Sequence, residues 1–248
     1  MTNQQSFDMS KRKLFIAIPS YDFKVSLKLA ISLAQFTQVA PKHGVDIAIG
    51  SICGCSVVSR ARNLLADQFL ESDCTDLLFI DSDINFDSQD IFRLMAWSSD
   101  YGIVGGVPRV RKDEETYIVT LDKVDEDSQV VMNAMGLVRA KRIATAFMMV
   151  QRRVFETLRD AHPEWMYFDD KSENAKSIYS FFDFKSTPGG YIGEDYLFCD
   201  RAREHGFEVW VDPTIKLGHM GIHEYMGDFG NQVLYPMLTP MESKKEVA

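Results

Sequence analysis

The chain has few cysteines, no long apolar run and no excess of basic residues. Its four cysteines among 248 residues are too few and too irregularly spaced for a disulfide framework or a zinc site, so we expect buried, reduced thiols. No apolar stretch reaches the roughly 18 residues that span a bilayer, and residues 1–13 lack the apolar centre of a signal peptide. We therefore expect a cytoplasmic protein without a membrane span.

The acidic charge of the chain limits its partners. The formal net charge is -9, whereas proteins that hold nucleic-acid backbones present clustered lysines and arginines. We therefore expect no nucleic-acid partner. If the protein handles phosphate groups, it should need a cation to do so.

Apolar segments of strand length alternate with helical patterns along the chain. This alternation predicts an α/β fold with a mostly parallel central sheet flanked by helices. We expect a single domain over 13–240, a disordered leader over 1–12 and a flexible tail over 241–248. The predicted strands are 14–18, 45–49, 77–80, 103–107, 137–139, 144–150 and 208–211. The predicted helices are 25–39, 59–70, 88–97, 153–160 and 194–205. Residues 161–192 are predicted to form a long loop on the acceptor side of a site.

Two carboxylates follow the third predicted strand. Asp81 and Asp83 come directly after 77–80, and strand residues two apart share one face at about 6 to 7 Å. This spacing suits one divalent cation, and oxygen ligands favour Mg²⁺ or Mn²⁺. A turn or a cap of the next helix accounts for the same residues equally well. A calcium EF-hand loop does not, because its sixth position is Phe86 and its twelfth is Phe92.

Two further segments carry candidate functional side chains. Glu194 and Asp195 open a predicted helix, where the helix dipole would keep a carboxylate ionised and ready to act as a base; acids also stabilise first turns without any function. His219 follows the last strand between two glycines, which would let a neutral imidazole approach a metal, although loop histidines are often simply solvated. The spacing of His219, His223 and Glu224 matches no zinc-protease motif.

The early part of the chain holds candidates for nucleotide binding. Pro19 and Tyr21 follow the first strand, where an aromatic ring could stack on a base, although most such prolines only form turns. Arg60 and Arg62 flank the start of the second helix, where a guanidinium can form paired hydrogen bonds to a diphosphate. Ordinary surface arginines would give the same pattern.

Together these segments resemble the metal-dependent GT-A glycosyltransferases, especially family-2-like members, over about 14–221. The matching segments come in the family's order, and the ordered set is more specific than any one segment. They are Ile18-Pro19-Ser20-Tyr21, Ala61-Arg62-Asn63, Phe79-Ile80-Asp81-Ser82-Asp83, residues 144–155, Gly193-Glu194-Asp195-Tyr196-Leu197-Phe198-Cys199 and His219.

The resemblance implies a Rossmann-like GT-A fold that binds a nucleoside diphosphate sugar, either a UDP-sugar or a GDP-sugar. It implies that Asp83 and His219 bind Mn²⁺ or Mg²⁺, and that Asp81 faces the ribose or the metal. The metal would hold the donor diphosphate and stabilise its charge on leaving. The implied nucleotide contacts are Pro19, Tyr21, Arg62 and Asp81.

The resemblance also implies the acceptor side of the reaction. Asp195 would take a proton from an acceptor hydroxyl on a glycan or other small molecule, and Glu194 would orient that acceptor. A base opposite the leaving group implies inversion, and hexosyl transfer is the expected reaction.

Two departures from the family pattern leave other functions open. Ala146 stands where related sequences often carry glycine facing the donor sugar, which leaves the donor open. The chain lacks the tryptophan-rich motif of processive synthases, so single addition is expected. The alternatives are a retaining GT-A glycosyltransferase, a sugar nucleotidyltransferase and an inactive protein that binds nucleotide sugars.

Overall fold

The computed structural model describes residue 9 and residues 12–123, 130–170 and 175–238. The predicted leader, apart from two of its residues, and the predicted tail lie outside the described residues. The helices are α1 (Leu27–Val39), α2 (Val58–Glu71), α3 (Ser88–Tyr101), α4 (Arg152–Ala161), α5 (Glu194–Glu204) and α6 (Tyr235–Leu238). The strands are β1 (Lys13–Ser20), β2 (Asp46–Cys53), β3 (Asp76–Ile80), β4 (Ile84–Asn85), β5 (Gly102–Gly105), β6 (Val119–Leu121), β7 (Val138–Ile143), β8 (Phe147–Gln151), β9 (Met166–Asp169), β10 (Lys176–Tyr179), β11 (Lys185–Thr187), β12 (Gly190–Ile192), β13 (Glu208–Val211), β14 (Gly218–Met220) and β15 (Glu224–Met226).

Eight strands form the central sheet, in the spatial order β2, β1, β3, β8, β5, β13, β7, β6. Six of them run in one direction, and β7 and β8 run the opposite way. The predicted α/β class with a mostly parallel central sheet flanked by helices is therefore confirmed.

The antiparallel position of β8 between β3 and β5 was not predicted by the alternating pattern. Only residues 144–146 separate β7 from β8, and a crossover helix does not fit in three residues. Through this short link the chain keeps the direction of β7 and enters the sheet again as β8 at a position that is not adjacent to β7.

The strand β3 is buried on both faces. Its side chains alternate between two apolar layers: Leu77 and Phe79 enter the layer under α2, α4 and α5, whereas Leu78 and Ile80 enter the layer under α1 and α3. This alternation is the expected result of the two-residue period of a strand between helical layers. Packing on both faces fixes the position of the strand's carboxyl end, which the site requires.

Three local predictions differ from the structure. The segment 161–192 is not a plain loop, because β9 pairs with β10 and β11 pairs with β12. The first strand was expected to break at Pro19 but continues to Ser20; its pairing with β3 has already ended at Ala17, so the missing N–H of the proline is tolerated there. The prediction of buried thiols is wrong for Cys53, which is exposed at the end of the edge strand β2.

The remaining cysteines agree better with the prediction of buried thiols than Cys53 does. All four cysteines are free, and Cys74 and Cys199 are buried. None of the described helices combines the length and the apolar character needed to cross a bilayer.

Candidate active site at the end of strand β3

The turn after β3 carries the first two candidate carboxylates. The N–H of Asp81 donates to the carbonyl of Ala146 at 3.1 Å, and the N–H of Ile84 donates back to the carbonyl of Asp81 at 3.1 Å. Ser26, which caps α1, donates its N–H to the carbonyl of Ser82 at 2.8 Å. These bonds attach the turn to the start of β8 and to the start of α1. The turn lies at the carboxyl end of β3, and ligands bind at the carboxyl ends of the strands in α/β folds.

His219 lies beside Asp83 because a small antiparallel sheet brings the two segments together. In this sheet β14 pairs with β4, with His219 opposite Ile84, and the N–H of Met220 donates to the carbonyl of Asp83 at 2.8 Å. The Nε2 atom of His219 lies 3.3 Å from Oδ2 of Asp83. The sequence placed His219 in a loop, and the structure places it in a short strand.

The tautomer of His219 follows from its second contact. Its Nδ1 atom lies 2.8 Å from the carbonyl oxygen of Arg109, and a carbonyl can only accept, so Nδ1 carries a hydrogen. Nε2 can therefore be a metal ligand or carry a second hydrogen. Burial lowers the pKa of His219, but the contacts with Asp83 and with the Arg109 carbonyl outweigh burial and raise it. Burial raises the pKa of Asp83, but His219 and Arg111 outweigh burial and lower it.

Side chains from the neighbouring short strands lie close to Gly218. A Cβ atom at this position would lie 2.4 Å from Oδ1 of Asn85 and 2.6 Å from Oε1 of Glu224. Sequence reasoning explained this glycine by approach of the imidazole to a metal. The structure gives a different reason, which is close contact of β14 with β4 and β15.

Arg62 joins the two acidic segments of the site. Its Nη2 donates to Asp81 at 3.1 Å and its Nε donates to Glu194 at 3.3 Å. The guanidinium is buried over the ring of Phe79. Burial lowers the pKa of Arg62, but the charges of Asp81 and Glu194 outweigh burial and raise it. The predicted contact of Arg62 with a diphosphate stays a prediction, whereas Arg60 points away and pairs with Asp169.

Glu194 and Asp195 form the first turn of α5, after Gly193. Burial, followed by the charge of Glu194, raises the pKa of Asp195 to about 6, although the N–H of Tyr196 and the charge of Arg62 oppose the shift. The helix dipole was expected to keep the acid ionised, and desolvation is the larger effect here. A carboxylate of this pKa is still mostly ionised at pH 7 and suits a general base.

The turn after β1 presents an exposed aromatic ring. Ser20 fixes the turn, because its hydroxyl accepts from the N–H of Lys24 at 3.0 Å and donates to the carbonyl of the same residue at 2.7 Å. The Tyr21 side chain is 69% exposed, so its ring is available for stacking. Pro19 lies inside β1, paired with Ile52. Both remain predicted nucleotide contacts.

The donor atoms present fit a divalent cation that also binds substrate. Among the described residues, no three His, Cys, Asp or Glu side chains converge closely enough to hold a metal alone. Asp83 and His219 do converge, and Mg²⁺ or Mn²⁺ commonly uses one or two carboxylates together with substrate phosphates and water. In this structure Nη1 of Arg111 donates to Oδ2 of Asp83 at 3.0 Å. Sequence reasoning missed Arg111, because it precedes the irregular segment from residue 112.

Several buried polar atoms near this turn have no partner. Within the described part of the chain, these atoms include Nη1 of Arg62, Oδ1 of Asn85 and Oγ1 of Thr145. Buried polar groups are normally hydrogen-bonded, and unpaired ones indicate an absent ligand or water. Arg62 contacts Asp81, Asn85 follows Asp83 by two residues, and Thr145 precedes Ala146, whose carbonyl accepts from the N–H of Asp81.

Comparison with solved structures shows the fold. A crystal structure of A197 from STIV is 20% identical in sequence with a TM-score of 0.51, and the match covers 85% of this chain and 86% of A197. The two chains share a fold. No protein-family model matches the chain, and no curated protein matches it.

Two longer chains give weaker structural matches. A crystal structure of GalNAc-T7 with UDP, GalNAc and Mn²⁺ has 12% identity and a TM-score of 0.45, over 85% of this chain and 44% of that one. A crystal structure of S. aureus TarS has 13% identity and a TM-score of 0.43, over 81% of this chain and 35% of that one. This chain therefore spans less than half the length of either protein.

Proposed function

We propose that the protein is a GT-A glycosyltransferase that moves a hexosyl group from a UDP-sugar or a GDP-sugar to a hydroxyl acceptor. The observation that carries this proposal is the Arg62 bridge, which holds Asp81 at the end of β3 and Glu194 at the start of α5. One buried guanidinium thereby links Asp81 on the proposed donor side to the first turn of α5, which also carries the proposed base Asp195. We further propose that transfer is inverting and non-processive, and that the protein is cytoplasmic.

On the donor side, Asp83 and His219 would hold Mn²⁺ or Mg²⁺, with Asp81 toward the ribose or the metal. When bound, this cation supplies positive charge that stabilises the departing diphosphate. Pro19 lies near the end of β1 and Tyr21 directly follows the strand, where its ring can stack on the base. The unpartnered Nη1 of Arg62 gives a further donor for the nucleotide.

On the acceptor side, Asp195 takes the proton from the attacking hydroxyl. Its raised pKa is compatible with this role near neutral pH. Glu194 is held by Arg62 and therefore presents its second oxygen in a fixed direction to orient the acceptor. Attack from the side of Asp195, opposite the diphosphate, gives inversion.

Thermal stabilisation by nucleotides tests the donor site. UDP and GDP should each be measured with and without Mn²⁺, since a ligand that binds only the folded state raises the melting temperature. We expect at least one of them to stabilise the protein only with the metal. Asp83→Asn should abolish this shift, which is measured relative to the melting temperature of the free variant.

The matched control is Asp100→Asn, an exposed carboxylate at the end of α3. It removes the same charge and should keep the full metal-dependent shift. If nucleotide and Mn²⁺ raise the melting temperature of Asp83→Asn as much as that of the wild type, the assignment of Asp83 as a metal ligand is contradicted. Pyrophosphate release from a nucleoside triphosphate and a sugar phosphate would favour a nucleotidyltransferase, and binding without turnover over a broad acceptor panel would favour an inactive binding protein.

A further inference from the structure

A cleft outside the candidate site lies next to α2. This cleft, which we call the α2 cleft, has a volume of about 470 Å³ and lies between α2 and the segment 164–183. Neither Asp83 nor His219 lines it. Its lining includes the polar side chains of Arg60, Asn63, Glu164, Tyr167, Asp183 and Arg201.

The α2 cleft is built on the same elements as the candidate site. Asn63 follows Arg62 in α2, and its amide forms two hydrogen bonds with the backbone of Phe182, at 2.8 and 3.0 Å. The Phe182 ring packs against Phe79 of β3 at 5.2 Å between centroids and against Phe198 of α5 at 4.5 Å. The wall of the cleft is thus fixed to the strand that ends at Asp81 and to the helix that carries Asp195.

The walls of the α2 cleft are held in place before any ligand binds. Arg60 donates two hydrogen bonds to the buried carboxylate of Asp169, at 2.7 and 2.8 Å. Trp165 lies parallel to the ring of His162 at 3.9 Å, and the guanidinium of Arg201 lies 4.1 Å from the Trp165 centroid. A preformed site loses little conformational freedom on binding, so weak individual contacts can add up to useful affinity.

The charges in the α2 cleft favour a neutral ligand. Arg60 and Arg201 are accompanied by Glu164 and Asp183, and the charge of Arg60 is already used by Asp169. Such a cleft has no excess positive charge to attract a diphosphate. Hydroxyl, amide, carboxylate and aromatic groups occur together in its lining, and they offer both donors and acceptors to a ligand rich in hydroxyl groups.

We propose that the α2 cleft binds the acceptor and that the acceptor is a neutral carbohydrate. The assignment as acceptor rests on the proposed function, whereas carbohydrate binding in the cleft does not. Tyr167 is a specificity-determining contact in this proposal. The hydroxyl that reacts extends from the cleft past Arg62 toward Asp195.

Neighbouring aromatic residues in β9 provide a matched test. Tyr167 lines the cleft, whereas the next residue, Phe168, points to the opposite side of the strand and is 65% exposed. The full chain and the variants Tyr167→Ala, Asp183→Asn and Phe168→Ala are applied to an array of neutral and acidic oligosaccharides. The strongest ligand is then titrated by calorimetry, and the melting temperature of each protein is recorded.

We expect the wild type and Phe168→Ala to bind at least one neutral oligosaccharide with similar affinity. Tyr167→Ala and Asp183→Asn should bind it at least tenfold more weakly, while their stabilisation by nucleotide and Mn²⁺ is unchanged. The proposal is overturned if no neutral oligosaccharide binds, if only acidic ones bind, or if Tyr167→Ala binds as well as Phe168→Ala. The two proposals can also fail separately. If the wild type binds a neutral sugar, Tyr167→Ala does not, and no nucleotide stabilises the wild type, carbohydrate binding in the cleft is supported and the proposed function is contradicted.

Discussion

Replacement of Asp195 by asparagine should stabilise the fold at neutral pH and at the same time remove the proposed base. Burial and the neighbouring Glu194 raise the pKa of Asp195 from 3.8 to about 6. The folded protein therefore holds this proton more tightly than the unfolded chain does. The resulting stabilisation is complete below about pH 4 and is lost as the pH rises through about 6.

The magnitude follows from this difference in pKa. A shift of about 2 units corresponds to about 3 kcal/mol, and screening by solvent at a partly exposed carboxyl reduces it to about 1 to 2 kcal/mol. Asparagine does not ionise and keeps the oxygen that accepts from the N–H of Tyr196. Asp195→Asn should therefore be about 1 to 2 kcal/mol more stable than the wild type at pH 7.5 and equally stable at pH 3.5.

Urea denaturation at a series of pH values measures this difference directly. The control is Asp90→Asn in α3, because burial raises the pKa of Asp90 to about 6 as well. Both variants should gain stability only at the higher pH. Only Asp195→Asn should also reduce transfer, by about 10²-fold to 10⁴-fold for loss of a general base. If Asp195→Asn is less stable than the wild type at pH 7.5, or more stable by the same amount at every pH, the raised pKa of Asp195 is not the cause and the prediction is wrong.

Two further substitutions test the packing of the site. Arg62→Leu should lower the free energy of unfolding by about 2 to 3 kcal/mol at pH 7.5, because Asp81 and Glu194 lose their shared cation; equal stability in urea would show that the bridge is not needed. Gly218→Ala should cost about 1 kcal/mol in thermal unfolding, because the added Cβ displaces the side-chain ends of Asn85 and Glu224. Gly189→Ala, where a Cβ would meet only Thr187 at 3.8 Å, serves as its control and should change little.

The sequence was sufficient for the elements whose side-chain period is regular. In β3, four consecutive apolar residues before Asp81 predicted a strand, and the structure buries all four of them. Asp81 and Asp83 follow this strand in sequence, so their location at the carboxyl end of the sheet could also be predicted. The approximate bounds of α2 and α5 followed from the same periodicity.

Contacts between distant segments could not be predicted in this way. The pattern did not reveal that Arg62 would contact Glu194 or that β8 would enter the sheet antiparallel, since both depend on packing between segments. One signal for Arg62 was present, however. It lies three and seven residues before Leu65 and Phe69, on the buried side of α2, and a charge on an apolar helix face indicates a buried ion pair.

The Arg62 bridge also bears on the order in which the chain can fold. Arg62 contacts Asp81 across 19 residues of sequence but contacts Glu194 across 132. Contacts of such separation pay a large loop-closure entropy and tend to form late. During synthesis, the start of α2 emerges long before α5 and cannot bury its guanidinium with both partners. We therefore expect the first turn of α2 to stay hydrated until the last third of the chain docks, so that completion of the fold and assembly of the site coincide.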